Sequence, residues 1–264
     1  MEEKRNPSKA PEGGAEVEVV TSAFRKTLAR AGSLIGAVGI FLVGGFVVAL
    51  VGTLGFAELA EHVTAGSTQA FDESVLIWLS QHRNPLSDTA MLELTALGTG
   101  TVVLMISGIA SLFLVLNKHR YSALLLGVAT VGGLALNMVL KLGFHRPRPE
   151  VVEWGAKAFS SSFPSGHAMS AAIVYSTVAY LAARLQQHLW SKLLTMCAAL
   201  VMIFLICLSR LYLGVHYPSD VAAGVTVGLA WAGFCMATLE GIQRFARRGD
   251  KGVEPEIKEV DKKV

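Results

Sequence analysis

The sequence predicts an all-α integral membrane protein, a bundle of six transmembrane helices with an extra amphipathic surface helix between spans one and two. Three observations carry that fold class. Of the 264 residues, 52% are hydrophobic and only 16% are charged, where a soluble domain carries about a quarter charged. Six apolar segments approach the length of about 20 residues that a helix needs to cross a bilayer core. Lysines and arginines also alternate between the two sides of such a bundle, with one side richer in them outside the polar motifs.

Span one is placed at residues 33–51 and is rich in glycine, including Gly32, Gly36, Gly39, Gly44, Gly45 and Gly52. Small residues let membrane helices approach closely, and packing within the chain is favoured here over a dimer face. The connection 53–90 is long for a loop. Within it "STQAFDESVLIWLSQHRNPLSD" starts with capping residues, and Phe71, Val75, Trp78 and Leu79 share an apolar face at helical spacing. An amphipathic helix on the outer surface is expected there, as scaffold for the active-site side or as a lid.

Spans two to six are placed at 91–116, 121–140, 168–185, 191–208 and 221–239. The fourth and fifth have the shortest apolar runs and draw on flanking polar residues. Cys197, Cys207 and Cys235 lie inside apolar runs with no metal-ligand spacing, and are read as packing residues. Residues 1–24 and 249–264 are polar, charged and poor in core formers, which predicts disordered tails around a membrane domain over 25–248. The acidic N-terminal stretch does not resemble a cleavable signal.

Arg25, Lys26, Arg30, Lys118, Arg120, Arg184, Lys192, Arg244, Arg247 and Arg248 fall on one side, assigned to the cytoplasm with both termini. That places the protein in the cell membrane with its polar motifs at the periplasmic or extracellular face. The opposite side has Arg83, Lys141, Arg146, Arg148, Lys157 and Arg210, most of them in those motifs. A net charge of +3 is too small to suggest nucleic acid as a partner.

Three polar stations share that opposite side. "KLGFHRPRP", residues 141–149, carries Lys141, Arg146 and Arg148 in a loop that Pro147 and Pro149 keep extended. "SSSFPSGH", residues 160–167, precedes span four. Ser165 and Gly166 start that helix, its free amides and dipole favour an anion, and His167 faces the same space. "SRLYLGVHYPSD", residues 209–220, places Arg210 at the end of span five and Asp220 in the first turn of span six, with His216 between them. A carboxylate holding one imidazole nitrogen fixes the tautomer and leaves the other nitrogen's lone pair free to attack.

Three cations and a helix start suit the oxygens of a phosphoryl group in transfer, and the histidines suit a nucleophile and an acid. No carboxylate cluster fit for Mg²⁺ accompanies them, so no cofactor or metal is expected. Metal-independent transfer through a phosphohistidine uses all the parts. Asn137, one turn before Lys141, is read as glue between helices or as a partner of Lys141. Glu93 is read as interfacial or functional, and Arg146 as a head-group contact or a solvated side chain.

The pattern Lys141-x6-Arg148-Pro149, then Pro164-Ser165-Gly166-His167, then Ser209-Arg210-x5-His216-x3-Asp220 resembles the three-part signature of the type 2 phosphatidic acid phosphatase superfamily. The resemblance runs from span three to span six. It implies His216 as nucleophile, Asp220 as its orienting partner and His167 as general acid. Lys141, Arg148, Ser165, Gly166 and Arg210 are implied as the phosphate-binding residues. The expected activity is hydrolysis of a lipid phosphate or pyrophosphate drawn from the bilayer. Undecaprenyl diphosphate leads, followed by phosphatidylglycerophosphate or phosphatidic acid, then a lipid-A phosphatase or phosphotransferase. The soluble vanadium-dependent haloperoxidases resemble the same signature, but six spans argue against that class. A transporter would spread charge through its spans, whereas here charge gathers at one face. The residues do not indicate an oligomeric state.

Overall fold

The structure, a computed structural model, describes residues 43–157 and 160–249, with side chains described through residue 243. The expected tails, the first part of span one and the basic residues at 25–30 and 244–248 therefore lie outside the described residues or have no described side chain. The described residues form helices joined by turns and loops: α1 Val43–Thr64, α2 Gln69–Ser80, α3 Pro85–Ala96, α4 Gly100–Leu116, α5 Arg120–Gly143, α6 Gly166–Leu185, α7 Leu189–Tyr212 and α8 Pro218–Gly249. Among them α1, α5, α6, α7 and α8 are each long and apolar enough to cross a membrane, and α3 with α4 makes a sixth, bent span. The protein is a multi-pass all-α membrane bundle.

Several boundaries differ from the expected ones. The last helix, placed at 221–239, runs on to Gly249, and α7, placed at 191–208, runs on to Tyr212. The first helix continues to Thr64 instead of ending near residue 51. Gly52 does not stop it; a Cβ there would come within 2.3 Å of the Ala230 Cβ, so the glycine is where α1 crosses α8. Gly45 likewise faces Ala237, so these two glycines of span one pack within the chain. Span two is broken: α3 and α4 meet at a 52° bend. Thr99 caps α4 by accepting from the Val102 N–H at 3.4 Å, and the Tyr175 hydroxyl donates to the Leu97 carbonyl at 3.1 Å. A carbonyl freed at the bend is thus satisfied by a neighbouring helix, as non-helical backbone at membrane depth requires.

The centre of the bundle is α6. Of its apolar window 61% is buried, against 17% for α7, so lipid-facing surface falls to the outer helices. Gly224 and Gly228 of α8 lie against Ala168 and Ala172 of α6, where a Cβ at Gly224 would meet the Ser165 carbonyl at 2.5 Å. That close contact holds the starts of α6 and α8 side by side. On α5, Trp231 of α8 fills the notch at Gly132 and donates to the Ala129 carbonyl at 2.9 Å. Leu104, Ile109, Leu124, Val131, Leu194 and Phe204 point outward from the bundle, the expected arrangement in lipid.

The amphipathic helix expected within 53–90 is α2. Phe71 and Trp78 do share an exposed face, with Ile77 beside them, whereas Leu79 turns inward with Leu76 and Asp72. The buried stripe therefore includes a carboxylate that reaches the start of α8.

Candidate active site

Chain direction alone sends the three polar stations to one end. Lys141 is in the last turn of α5, His167 in the first turn of α6, Arg210 in the last turn of α7 and Asp220 in the first turn of α8. At the opposite end Arg184 of α6 pairs with Glu240 of α8 at 2.7 Å, well away from them.

Loop 160–165 ties the first two stations together. Lys141 Nζ donates to Ser160 Oγ at 3.0 Å and to the Ser161 carbonyl at 2.9 Å, and Arg148 Nε donates to the Ser160 carbonyl at 2.9 Å. Arg148 Nη1 donates to the Val215 carbonyl at 2.6 Å, which brings in the third station. Burial holds the Arg148 guanidinium below the usual arginine range, an effect opposed by Asp220.

His216 is buried between two polar neighbours. Its Nδ1 lies 3.5 Å from Asp220 Oδ2 and 3.5 Å from Ser162 Oγ; its Nε2 lies 3.4 Å from Arg148 Nη1. A guanidinium only donates, and a carboxylate only accepts. The surroundings therefore favour the tautomer with its proton on Nδ1 and its lone pair on Nε2. Ser162 Oγ donates to Asp220 Oδ2, as does the Tyr217 N–H at 2.9 Å, so that carboxylate oxygen is held from three directions. Burial pushes the His216 imidazole down to about 4, against the opposing pull of Asp220, so the ring is neutral through the physiological range.

Two buried polar atoms in this region have no hydrogen-bond partner among the described residues: Ser165 Oγ and Arg210 Nε. Ser165 is the N-cap of α6, yet its side chain makes no cap bond. Its backbone N–H donates to the Asp220 carbonyl at 3.0 Å, locking the two helix starts together. Arg210, 4% exposed, spends Nη1 on Thr95 Oγ1 at 2.6 Å. An unpartnered hydroxyl and guanidinium nitrogen beside a helix N-terminus are what an oxyanion ligand would satisfy. His167 is half-buried and within electrostatic reach of Lys141, Arg148, Arg210 and His216. Gly166 packs against Asn137, where a Cβ would come within 2.9 Å of Oδ1, while Asn137 Nδ2 faces Met169 Sδ at 3.5 Å. Asn137 is thus contact between α5 and α6, and Glu93 is exposed on α3. Among the described residues no three His, Cys, Asp or Glu side chains group as metal ligands do.

All eight expected site residues are thus gathered at one end. Four others belong to the same network without having been picked from the sequence as site residues: Ser162, Thr95, Asp72 and Arg146. Ser162 and Thr95 gave no signal beyond their neighbours. Asp72 had one, since Asp72, Leu76 and Leu79 recur at helical spacing and place a carboxylate on the buried stripe of α2. Arg146 does not face water, its side chain being only 10% exposed. It bridges Asp72 at 2.8 Å and Asp220 at 2.7 Å, because both carboxylates are fully buried and need a partner.

Comparison with known proteins identifies the family and the fold. The family model of the PAP2 superfamily matches residues 120–244. Phosphatidylglycerophosphatase B of Bacillus subtilis (strain 168) is 30% identical over 197 residues, covering 73% of this chain and 95% of that protein. The crystal structure of the first transmembrane PAP2 type phosphatidylglycerolphosphate phosphatase from Bacillus subtilis superposes with a TM-score of 0.68 at 28% identity, over 77% of this chain and 98% of that one. Aquifex aeolicus LpxE shares the fold, with a TM-score of 0.53 at 23% identity over 63% of this chain and 94% of that one.

Proposed function

The chain belongs to the PAP2 superfamily and is a membrane lipid phosphatase, and from that premise we propose how it works, on which lipid, and at which face. His216 Nε2 attacks phosphorus while His167 gives its proton to the departing oxygen, so the P–O bond breaks as the N–P bond forms. Water then attacks the phosphohistidine, His167 accepts its proton, and inorganic phosphate leaves with His216 restored. Lys141, Arg148, Arg210, Ser165 and the amide of Gly166 hold the phosphoryl oxygens, on which charge builds in the transition state. Asp220 and Ser162 keep the proton on His216 Nδ1. The observation that supports this reading is the pair of unpartnered buried atoms, Ser165 Oγ and Arg210 Nε, together with an imidazole whose Nδ1 faces Asp220 and whose Nε2 faces Arg148.

Phosphatidylglycerophosphate is proposed as substrate, supported by the B. subtilis relative that this chain covers almost throughout. Undecaprenyl diphosphate presents the same phosphate to the same residues and is the competing arm of the test. Phosphate release from phosphatidylglycerophosphate, phosphatidic acid and undecaprenyl diphosphate is measured in detergent with EDTA present. Release is expected to persist in EDTA and to be fastest with phosphatidylglycerophosphate. A faster rate with the diphosphate reverses the substrate order, and strict dependence on an added divalent metal overturns the mechanism.

The active site is proposed to open at the periplasmic or extracellular face, with a phosphatase domain over 25–248 and both termini in the cytoplasm. Lys157 is exposed in the loop between α5 and α6. A Lys157→Cys variant is expected to react with an impermeant maleimide on intact cells. Labelling only after permeabilisation reverses the orientation.

A further inference from the structure

Two charged side chains outside the eight site residues meet behind Asp220. Arg146 Nη1 donates to Asp220 Oδ1 at 2.7 Å and to Ser219 Oγ at 2.7 Å; its Nη2 donates to Asp72 Oδ2 at 2.8 Å and to Gln69 Oε1 at 3.2 Å. The guanidinium also lies over the Tyr217 ring, 4.1 Å from its centroid. Asp72 in turn accepts the Ser219 N–H at 3.0 Å, and so caps α8 from a different helix.

An aspartate's terminal torsion is broad, so hydrogen bonds and not rotamer preference decide where its oxygens point. Ser162, the Tyr217 N–H and His216 converge on Oδ2 of Asp220, and Arg146 holds Oδ1. Without Arg146 the carboxylate has one oxygen free to swing. Arg146 is itself a long side chain, and its planar fork is fixed by contacts to α2, above all by the buried charge of Asp72.

We propose that Asp72 and Arg146 are a positioning pair for Asp220 and, through it, for the His216 imidazole. The surface helix α2 is then part of the active-site framework and not a separate scaffold. This inference rests on the reading of His216 as nucleophile.

The test uses full-length protein in detergent, with short-chain phosphatidic acid as the probe substrate and rates taken per monodisperse folded protein. Arg146→Lys keeps the charge and loses the fork; Asp72→Asn keeps the shape and loses the charge. Each is expected to lower kcat about 100-fold with little change in KM, the signature of misplaced reacting groups. Arg184→Lys, at the far end of the bundle where Arg184 bonds Tyr180 and Glu240, leaves kcat unchanged. In an Asp220→Ala background the two substitutions lose most of their effect, changing kcat by less than about 3-fold, because they act through Asp220. Should the charge variants not fold, Ser219→Ala removes only the hydroxyl shared by Asp72 and Arg146 and is expected to cost about 10-fold in kcat. Wild-type kcat in the variants, or the full loss repeated without Asp220, overturns the pair. Should His216→Ala retain activity, the nucleophile assignment falls first. If that variant is dead while the pair variants are unimpaired, only the positioning role is wrong.

Discussion

On the proposed mechanism, phosphate release by the His216→Ala variant falls by about 10⁴-fold or more, with the protein still folded, because loss of a covalent nucleophile removes the reaction path and not one contact to it. The imidazole is 2% exposed, so alanine leaves a small buried gap in the loop before α8 while the interlocked starts of α6 and α8 stay in place. Residual turnover, if any, comes from water in a phosphate site that still has its cations. Two further measurements separate nucleophile from structural histidine. Wild-type protein quenched in base with labelled substrate retains a protein-bound, acid-labile phosphate, and the variant does not. The pH profile gives the second. Burial places His216 at about 4, so the nucleophile protonates only as pH falls toward that value and not through about 6.5, the ordinary histidine range. The His216-dependent loss of rate therefore lies well on the acid side of neutrality. Turnover retained in His216→Ala removes the mechanism.

Much of the site was legible because its signature is local. Ser209 to Asp220 is one turn between two helices, and Pro164 to His167 is one helix start; residue order there fixes geometry within a few residues. The spans were legible for a similar reason, since a bilayer imposes a length and a polarity on each helix separately. What escaped was long-range. Asp72 meets Ser219, Arg146 meets Asp72, and Thr95 meets Arg210 across gaps that no spacing rule connects. At the end of span one and inside span two, glycine carries different meanings by context. Gly52 is a crossing point inside a helix that runs on to Thr64, whereas Gly98, Thr99 and Gly100 sit inside an apolar run yet mark a bend. Lipid-facing and protein-facing glycines look alike until the neighbouring helix is known.

Arg210→Met loses about 10²- to 10³-fold in kcat/KM while the ligand-free protein becomes harder to unfold. Both effects come from one feature. Arg210 is almost wholly buried, and among the described residues its one side-chain bond is to a neutral hydroxyl while its Nε has no partner. Arg148 shares the same region, so the charge lies in a field of its own sign. A buried cation placed this way costs stability that a thioether of similar length does not. On the proposed mechanism an anion neutralises it during turnover, when its donors face the charge developing on the phosphoryl oxygens. Thermal unfolding in detergent reads both sides. Inorganic phosphate or vanadate is expected to raise the wild-type midpoint by mass action and to leave Arg210→Met nearly unmoved. A purely structural arginine behaves in the opposite sense, with the variant less stable and its turnover preserved. That outcome assigns Arg210 to the scaffold and leaves Lys141, Arg148 and the α6 N-terminus to hold the phosphate alone.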